Sequence, residues 1–255
     1  SASMQNYVAA ADLLNDRVLL ITGASAGIGR VAALTCAAHG ATVILLGRDN
    51  DKLNAVYDEI VAAGHPTPAI LTLDLSQANA VSCREVANVI ESTFGRLDGI
   101  LHNAAVLGEI TPLEMYDPDT WDFVMNVNLR APFVLTQALL PLLKQSPDAS
   151  VVMTTSSVGR RARAFWGAYA ISKCGIEGLV QMLSDELAAI SAIRVNAINP
   201  GGTRTNMRAS AYPGENPETV KTPEELMPLY LYLLGPDSTG ITGQSFDAQP
   251  VRSNS

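Results

Sequence analysis

Tyr169 and Lys173 stand four residues apart, and a serine pair begins thirteen residues upstream at Ser156, all within the stretch SSVGRRARAFWGAYAISK (156–173). On a helix the i, i+4 spacing puts the tyrosine and the lysine on one face. A tyrosine with its ordinary pKa near ~10 is a poor acid–base group at neutral pH. A lysine ammonium one turn away favours the phenolate and draws that value toward the working range. The chemistry this set can do is proton transfer at an oxygen, with Ser156 hydrogen-bonding a carbonyl oxygen and Tyr169 giving or taking its proton. A lone Y-x-x-x-K arises by chance in many helices. The serine at the end of the strand before it makes the set specific.

A second group could hold phosphates. TGASAGIG (22–29) follows an apolar run and opens a helical one, with Gly23, Gly27 and Gly29 spaced G-x-x-x-G-x-G. A turn without side chains lets backbone N–H groups approach a pyrophosphate at the positive end of a helix dipole. Ser25 could add a hydroxyl, and Ile28 lies in the same turn. The next apolar run ends in Leu46-Gly47-Arg48-Asp49. An arginine there suits the 2′-phosphate of NADP and a carboxylate the ribose hydroxyls of NAD. Arg48 is the first side chain beyond Gly47, which favours NADP, while a shift of one residue would present Asp49 instead. Asp74, with Leu75 after it, can meet an adenine amino group or cap a helix. In HNAA (102–105), small residues at Ala104 and Ala105 let the chain pass close to a flat cofactor. The amide of Asn103 can tie neighbouring strand ends, and His102 reads as a structural, hydrogen-bonded residue.

Arg160, Arg161 and Arg163 follow Ser156, and Arg204 and Arg208 lie in a later segment. Guanidinium groups suit carboxylates and phosphates, so Arg160, Arg163 and Arg208 are candidate ligands for an anionic carbonyl substrate. The alternative is that these arginines are solvated or pair with acids of a neighbouring subunit. Phe165, Trp166 and Tyr212 could form an apolar wall or pack in the core.

These residues need elements to position them. Short, continuously apolar runs recur at 17–22, 42–46, 69–73, 99–102, 150–154 and 194–198, as in strands buried on both faces of a parallel sheet. Alanine-rich helical segments alternate with them at 28–39, 51–63, 78–94, 120–143 and 168–190. The expected fold is a single-domain α/β, doubly wound Rossmann-type parallel sheet of about seven strands flanked by helices. Residues 201–223, rich in Gly, Pro, Asn and Thr, read as an irregular or mobile substrate flap. A helix over 223–234 and a strand near 244–246 complete the pattern. Residues 1–14 read as an N-terminal extension whose first three residues look like an expression remnant, and 15–255 as the domain.

The chain has 255 residues, of which 47% are hydrophobic and 16% charged. That composition supports a large core and argues against disorder. A net charge of −8 gives no electrostatic footprint for nucleic acid. Cys36, Cys83 and Cys174 have neither disulfide nor metal spacing and suit reduced thiols in the cytoplasm. No run of about eighteen uninterrupted apolar residues suggests a transmembrane helix, and no signal peptide is expected.

After Asn15 the chain resembles the short-chain dehydrogenase/reductase family over essentially its whole length. The motifs are T-G-x-x-x-G-x-G at Thr22–Gly29, N-A-G as Asn103-Ala104-Ala105, Asn128 in NVNL, Ser156, Y-x-x-x-K at Tyr169 and Lys173, and P-G-x-x-x-T at 200–205. Ala105 in place of glycine removes no chemical group. The resemblance implies hydride transfer between NADP(H) and a carbonyl or secondary alcohol. It also implies a tetrad in which Asn128 holds a water linked to Lys173. Pro200, Gly201, Thr203 and Thr205 become cofactor contacts, and the helices at 120–143 and 168–190 become contacts of a homodimer or homotetramer. Stretches such as WGAYA (166–170), NPGGTRT (199–205) and MPLYL (227–231) are similar to the YciK-type branch of uncharacterised oxidoreductases. A catalytically weak NADP-binding sensor or scaffold is the second functional class, disfavoured because both Tyr169 and Lys173 are retained. The short region after Pro200 leaves little room for the larger substrate domain of an epimerase or dehydratase.

Overall fold

The structure, a computed structural model, describes residues 6–249. Seven parallel strands form one sheet in the order β3-β2-β1-β4-β5-β6-β7. They are β1 Val18–Thr22, β2 Thr42–Gly47, β3 Ala69–Thr72, β4 Gly99–His102, β5 Ser150–Thr154, β6 Arg194–Asn199 and β7 Ser245–Asp247. β1 and β4 are buried at every position and mostly apolar because both faces are covered. Successive side chains point to opposite faces. Leu20, Ile100, Val151 and Val195 therefore enter one apolar layer, and Leu19, Ile21, Leu101 and Val152 enter the other.

Nine helices flank the sheet among the described residues: α1 Gly27–Ala38, α2 Asn50–Ala62, α3 Ala80–Phe94, α4 Pro118–Met125, α5 Ala131–Gln145, α6 Ser157–Arg160, α7 Gly167–Ala188, α8 Asn206–Ala211 and α9 Met227–Leu234. The first layer takes Ile90 of α3, Leu135 and Leu139 of α5 and Ile176 of α7. The second takes Val31 of α1, Leu53 of α2 and Leu233 of α9. From β1 the chain builds outward through β2 and β3, then returns to pair β4 with the other side of β1. The crevice at the carboxyl ends of β1 and β4 is thus the topological switch point, where this architecture binds ligands.

Three expectations need correction. The helix expected over 120–143 runs over Pro118–Gln145 and contains a π-turn at Asn126–Arg130, which joins α4 to α5. By length and composition this helix could cross a membrane. Its Val134, Leu135, Leu139, Leu142 and Leu143, however, lie in the buried layer against the sheet, as in a core helix. The segment 201–223, read as irregular, contains α8 and a bridge between Thr203 and Lys221. Thr205 caps α8, and Arg204 Nε donates to Pro217 O at 2.8 Å, so side chains supply the local order that the composition lacks. The helix expected over 223–234 opens as a 3₁₀ turn, Pro223–Leu226, before α9.

At the amino ends of the strands lies a charged cluster. Arg17 Nη1 donates to Asp148 Oδ2 at 2.8 Å, and Arg194 pairs with the other oxygen of Asp148. Asp98 accepts from Val18 N at 2.8 Å and Ser146 Oγ at 2.6 Å. The ends opposite the crevice are pinned by charge, which frees the crevice end for chemistry.

Candidate active site

Ser156 lies two residues beyond β5 and caps α6, its Oγ accepting from Val158 N at 3.4 Å. This single turn presses on α7 at Gly159. A Cβ there would sit 2.8 Å from the backbone carbonyl atoms and Cβ of Lys173. Only glycine allows that approach, which sets the turn that carries Ser156 against the helix that carries Tyr169 and Lys173. Tyr169, in the first turn of α7, is partly buried, and Lys173 one turn on is buried. Lys173 Nζ lies over the Tyr169 ring, 5.7 Å from its centre, and donates to Thr154 O at 2.9 Å.

Burial lowers the Lys173 ammonium to about 8. The Tyr169 phenol is raised, chiefly by burial, with the Ser156 hydrogen bond pulling the other way. The downward pull expected from Lys173 is therefore not the leading influence. The ammonium lies over the ring and donates to Thr154 O, and desolvation of the phenol outweighs the rest.

Asn128 is buried in the π-turn. Its Oδ1 accepts from Val106 N at 2.8 Å, and its Nδ2 donates to Val106 O at 2.9 Å and Ser172 Oγ at 3.1 Å. Both amide hydrogens are used, so the side chain fastens the segment after β4 to α7. Any water it helps to hold would have to meet its backbone carbonyl or the remaining Oδ1 lone pair.

The glycine-rich turn is a cradle that a side chain would fill. A Cβ on Gly29 would lie 2.1 Å from Gly23 O and 2.4 Å from Asn103 Nδ2. Gly23 and Gly27 have φ of 61° and 56°, in the left-handed region that favours glycine. At the N-cap of α1, Ala26 provides no side-chain hydrogen bond, so the first-turn N–H groups lack the cap that most helices have. A pyrophosphate fits those donors and that space. Ser25 and Ile28 are partly buried in the same turn. Thr22 Oγ1 accepts from both Asn103 N and Ala104 N at 3.0 Å, closing β1 to β4 across the switch point.

At the end of β2, Arg48 is exposed and forms no ion pair among the described residues, whereas Asp49 caps α2 through Lys52 N at 3.1 Å. Asp74 likewise uses Oδ1 to accept from Ser76 N at 3.0 Å and Ser76 Oγ at 2.7 Å, beside buried Leu75. Beyond β6, Gly201 has φ of 73° and its N–H donates to Asn199 Oδ1 at 3.0 Å. Gln249 Nε2 donates to Pro200 O at 3.0 Å and Gly202 O at 2.6 Å. Thr203 is buried, and the Thr205 methyl would lie 3.6 Å from a Cβ on Gly27, so this turn borders the glycine cradle. His102 is buried and shares a 2.7 Å hydrogen bond with Thr136; burial lowers it to about 3, which leaves it neutral and structural.

The arginines divide. Arg160, expected as a substrate ligand, instead pairs with Asp247 at 2.5 Å and Glu177 at 3.4 Å and donates to Ser245 Oγ at 2.9 Å. Arg208 is also engaged within the chain, donating to Glu215 at 2.9 and 2.8 Å. The acids that neutralise both come from this chain and not from a neighbour. Arg161 and Arg163 are exposed, with no ion pair among the described residues. Phe165 is exposed, with φ of 77°, and Trp166 lies between Tyr169 and Tyr212. Gly159, Glu177 and Gln249 escaped the sequence reading. Only the glycine, beside Ser156, gave any local signal. Among the described residues no group of three or more His, Cys, Asp or Glu could hold a metal ion.

Known proteins share this arrangement. The family profile described as short chain dehydrogenase matches residues 17–216. The chain is 53% identical over 247 residues to an uncharacterized oxidoreductase, YciK, of Escherichia coli K12, covering 97% of each chain. It superposes with a TM-score of 0.92 on a putative short chain dehydrogenase from Shigella flexneri complexed with NADP, at 53% identity over 94% of this chain and 100% of that one. One from Escherichia coli CFT073 complexed with NADPH gives a TM-score of 0.92 at 54% identity, over 95% of this chain and 100% of that one. With serine, tyrosine and lysine gathered at the switch point of a seven-stranded parallel sheet, and with that profile spanning most of its length, the chain belongs to the short-chain dehydrogenase family.

Proposed function

We propose that residues 15–255, of which 250–255 lie outside the described residues, are one domain of an NADP-dependent oxidoreductase that interconverts a carbonyl and a secondary alcohol. The observation that carries this reading is the buried Lys173 ammonium over the Tyr169 ring, with the turn that carries Ser156 pressed against the same helix at Gly159. Bound NADP(H) supplies or accepts the hydride. Gly23, Gly27 and Gly29 leave room for its pyrophosphate, and Pro200, Gly201, Thr203 and Thr205 border the same crevice. Arg48 is free of ion pairs and suits a 2′-phosphate, while Asp49 is committed to its helix. The NADP and NADPH complexes of the relatives support the same choice of cofactor.

In reduction, Ser156 hydrogen-bonds the carbonyl oxygen and orients it. Tyr169 donates its phenolic proton to that oxygen as the carbon is reduced, and Lys173 steadies the phenolate that remains. Asn128 holds the Val106 segment and α7 in register, which fixes the distance between the crevice wall and Tyr169. Exposed Phe133 on α5 and Ile171 and Met182 on α7 support association of copies through these helices, which sedimentation velocity would read. Three free cysteines support a reducing compartment, the cytoplasm.

An NADPH oxidation assay over a broad carbonyl panel tests the reading. Tyr169→Phe is expected to lower kcat by at least about a hundredfold with NADPH affinity unchanged. In the same assay Arg48→Ser should weaken NADPH far more than NADH. Tight NADPH binding with no substrate turned over, and with Tyr169→Phe indistinguishable from the parent, would identify a sensor or scaffold instead.

A further inference from the structure

An arc of side chains runs from the reactive phenol to the turn after β6. The Trp166 ring centre is 5.9 Å from that of Tyr169, tilted by 43°, and 6.1 Å from that of Tyr212, tilted by 45°. Arg208 Cζ lies over the Tyr212 ring, 3.8 Å from its centre. A Cβ on Gly202 would come within 3.2 Å of the same Cζ, so the arc closes against the turn that borders the cofactor crevice. Phe165 stands beside it, 56% exposed, and Tyr212 is 40% exposed. The Phe165 backbone is held in place by the 3.0 Å bond from Thr111 N to its carbonyl.

The arc has ring faces to offer but no available charge. Its one cation, Arg208, gives two donors to Glu215 and its face to Tyr212. Arg204 spends its Nε and Nη2 on the carbonyls of Pro217 and Val220. Arg161 and Arg163 are exposed to water, where an ion pair contributes little. Planar groups pack on tilted aromatic rings at these centre spacings with a gain beyond that of buried area alone.

We infer that this arc is a platform for a neutral, ring-bearing ketone or its alcohol, with the carbonyl at Ser156 and Tyr169 and the ring against Trp166 and Tyr212. The inference rests on the reading of Tyr169 as the group that meets the carbonyl. It favours a cyclic or aryl carbonyl over a linear one and over an anionic one.

Ligand-observed NMR titrations of the NADP⁺-loaded protein test it with three probes of equal carbon count: acetophenone, 2-octanone and phenylglyoxylate. Acetophenone is expected to bind about five- to tenfold more tightly than either other probe. The preference over 2-octanone should shrink to within about twofold in Trp166→Leu and in Tyr212→Leu, and survive in Tyr169→Phe. Two variants are named so that misfolding of one leaves the other to decide. Equal or tighter binding of 2-octanone or phenylglyoxylate by the parent overturns the inference, as does an undiminished preference over 2-octanone in a folded Leu variant. Ring-selective binding with no turnover of any carbonyl keeps the platform and sinks the oxidoreductase reading. Turnover of linear ketones without ring selectivity does the reverse.

Discussion

Lys173 is buried and donates to a backbone carbonyl, and that burial lowers its pKa to about 8. In the proposed mechanism the ammonium present below that value steadies the Tyr169 phenolate; above it the charge is lost. Carbonyl reduction should therefore slow as pH rises through about 8, and alcohol oxidation, whose phenolate base loses the same support, should not gain from the loss of this charge. Profiles of kcat in both directions read this directly, and a reduction rate that stays flat to pH ~10 would remove Lys173 from the proton path. At this scale the sequence was readable where contacts are made at short spacing, as between Lys173 and the Tyr169 ring. Ser156, Tyr169 and Lys173 lie within one stretch of eighteen residues. Arg160 was misread because its partners, Glu177 and Asp247, lie 17 and 87 residues away, and nothing local announces them.

Among the elements, α6 has the narrowest tolerance. Its Gly159 lies against the Lys173 backbone, and a methyl group there must push the turn away from α7. Gly159→Ala is expected to lower kcat by about ten- to a hundredfold by withdrawing Ser156. Its stability cost should be about 1–3 kcal/mol, with NADPH affinity kept because the glycine cradle is on another strand. Thermal unfolding, a binding titration and kcat together would check this, and an unchanged kcat would show that Ser156 does not depend on the turn. The strands were legible as short apolar runs, since burial on both faces leaves few polar positions, mostly at the strand ends. The π-turn at Asn126–Arg130 was not, because an extra residue inside an apolar helix barely disturbs its hydrophobic pattern. Nor was the hold of Gln249 on Pro200 and Gly202, a contact across 49 and 47 residues.

For the whole molecule, the cluster at the amino ends of the strands sets how the fold responds to acid. Asp148 joins Arg17 before β1 to Arg194 at the start of β6, while it itself precedes β5. Burial opposes its ionisation, but Arg194 and Arg17 outweigh that and hold its pKa below the ordinary value. A carboxylate with a depressed folded pKa adds stability above its unfolded value, and that stability is lost as pH falls through the folded one. Asp148→Asn should therefore cost about 3 kcal/mol at neutral pH and leave two arginines unpaired. The gap from the parent should narrow below pH ~4. Urea unfolding at neutral and acidic pH would measure it, and a gap independent of pH would assign the loss to packing instead. The overall architecture was foreseeable from alternating strands and helices, but this cluster was not, because it is assembled from four separate segments.

The π-turn also bears on descent. A helix that carries one residue beyond the regular count can shed it and close into an unbroken α-helix with its flanks still in register. In this chain the segment that would heal contains Asn128, whose amide joins Val106 to α7. A lineage that deleted one residue between 126 and 130 would gain a more regular helix and lose a brace of its catalytic crevice. Such a deletion in a sequence of this kind would mark a protein released from the selection that maintains turnover.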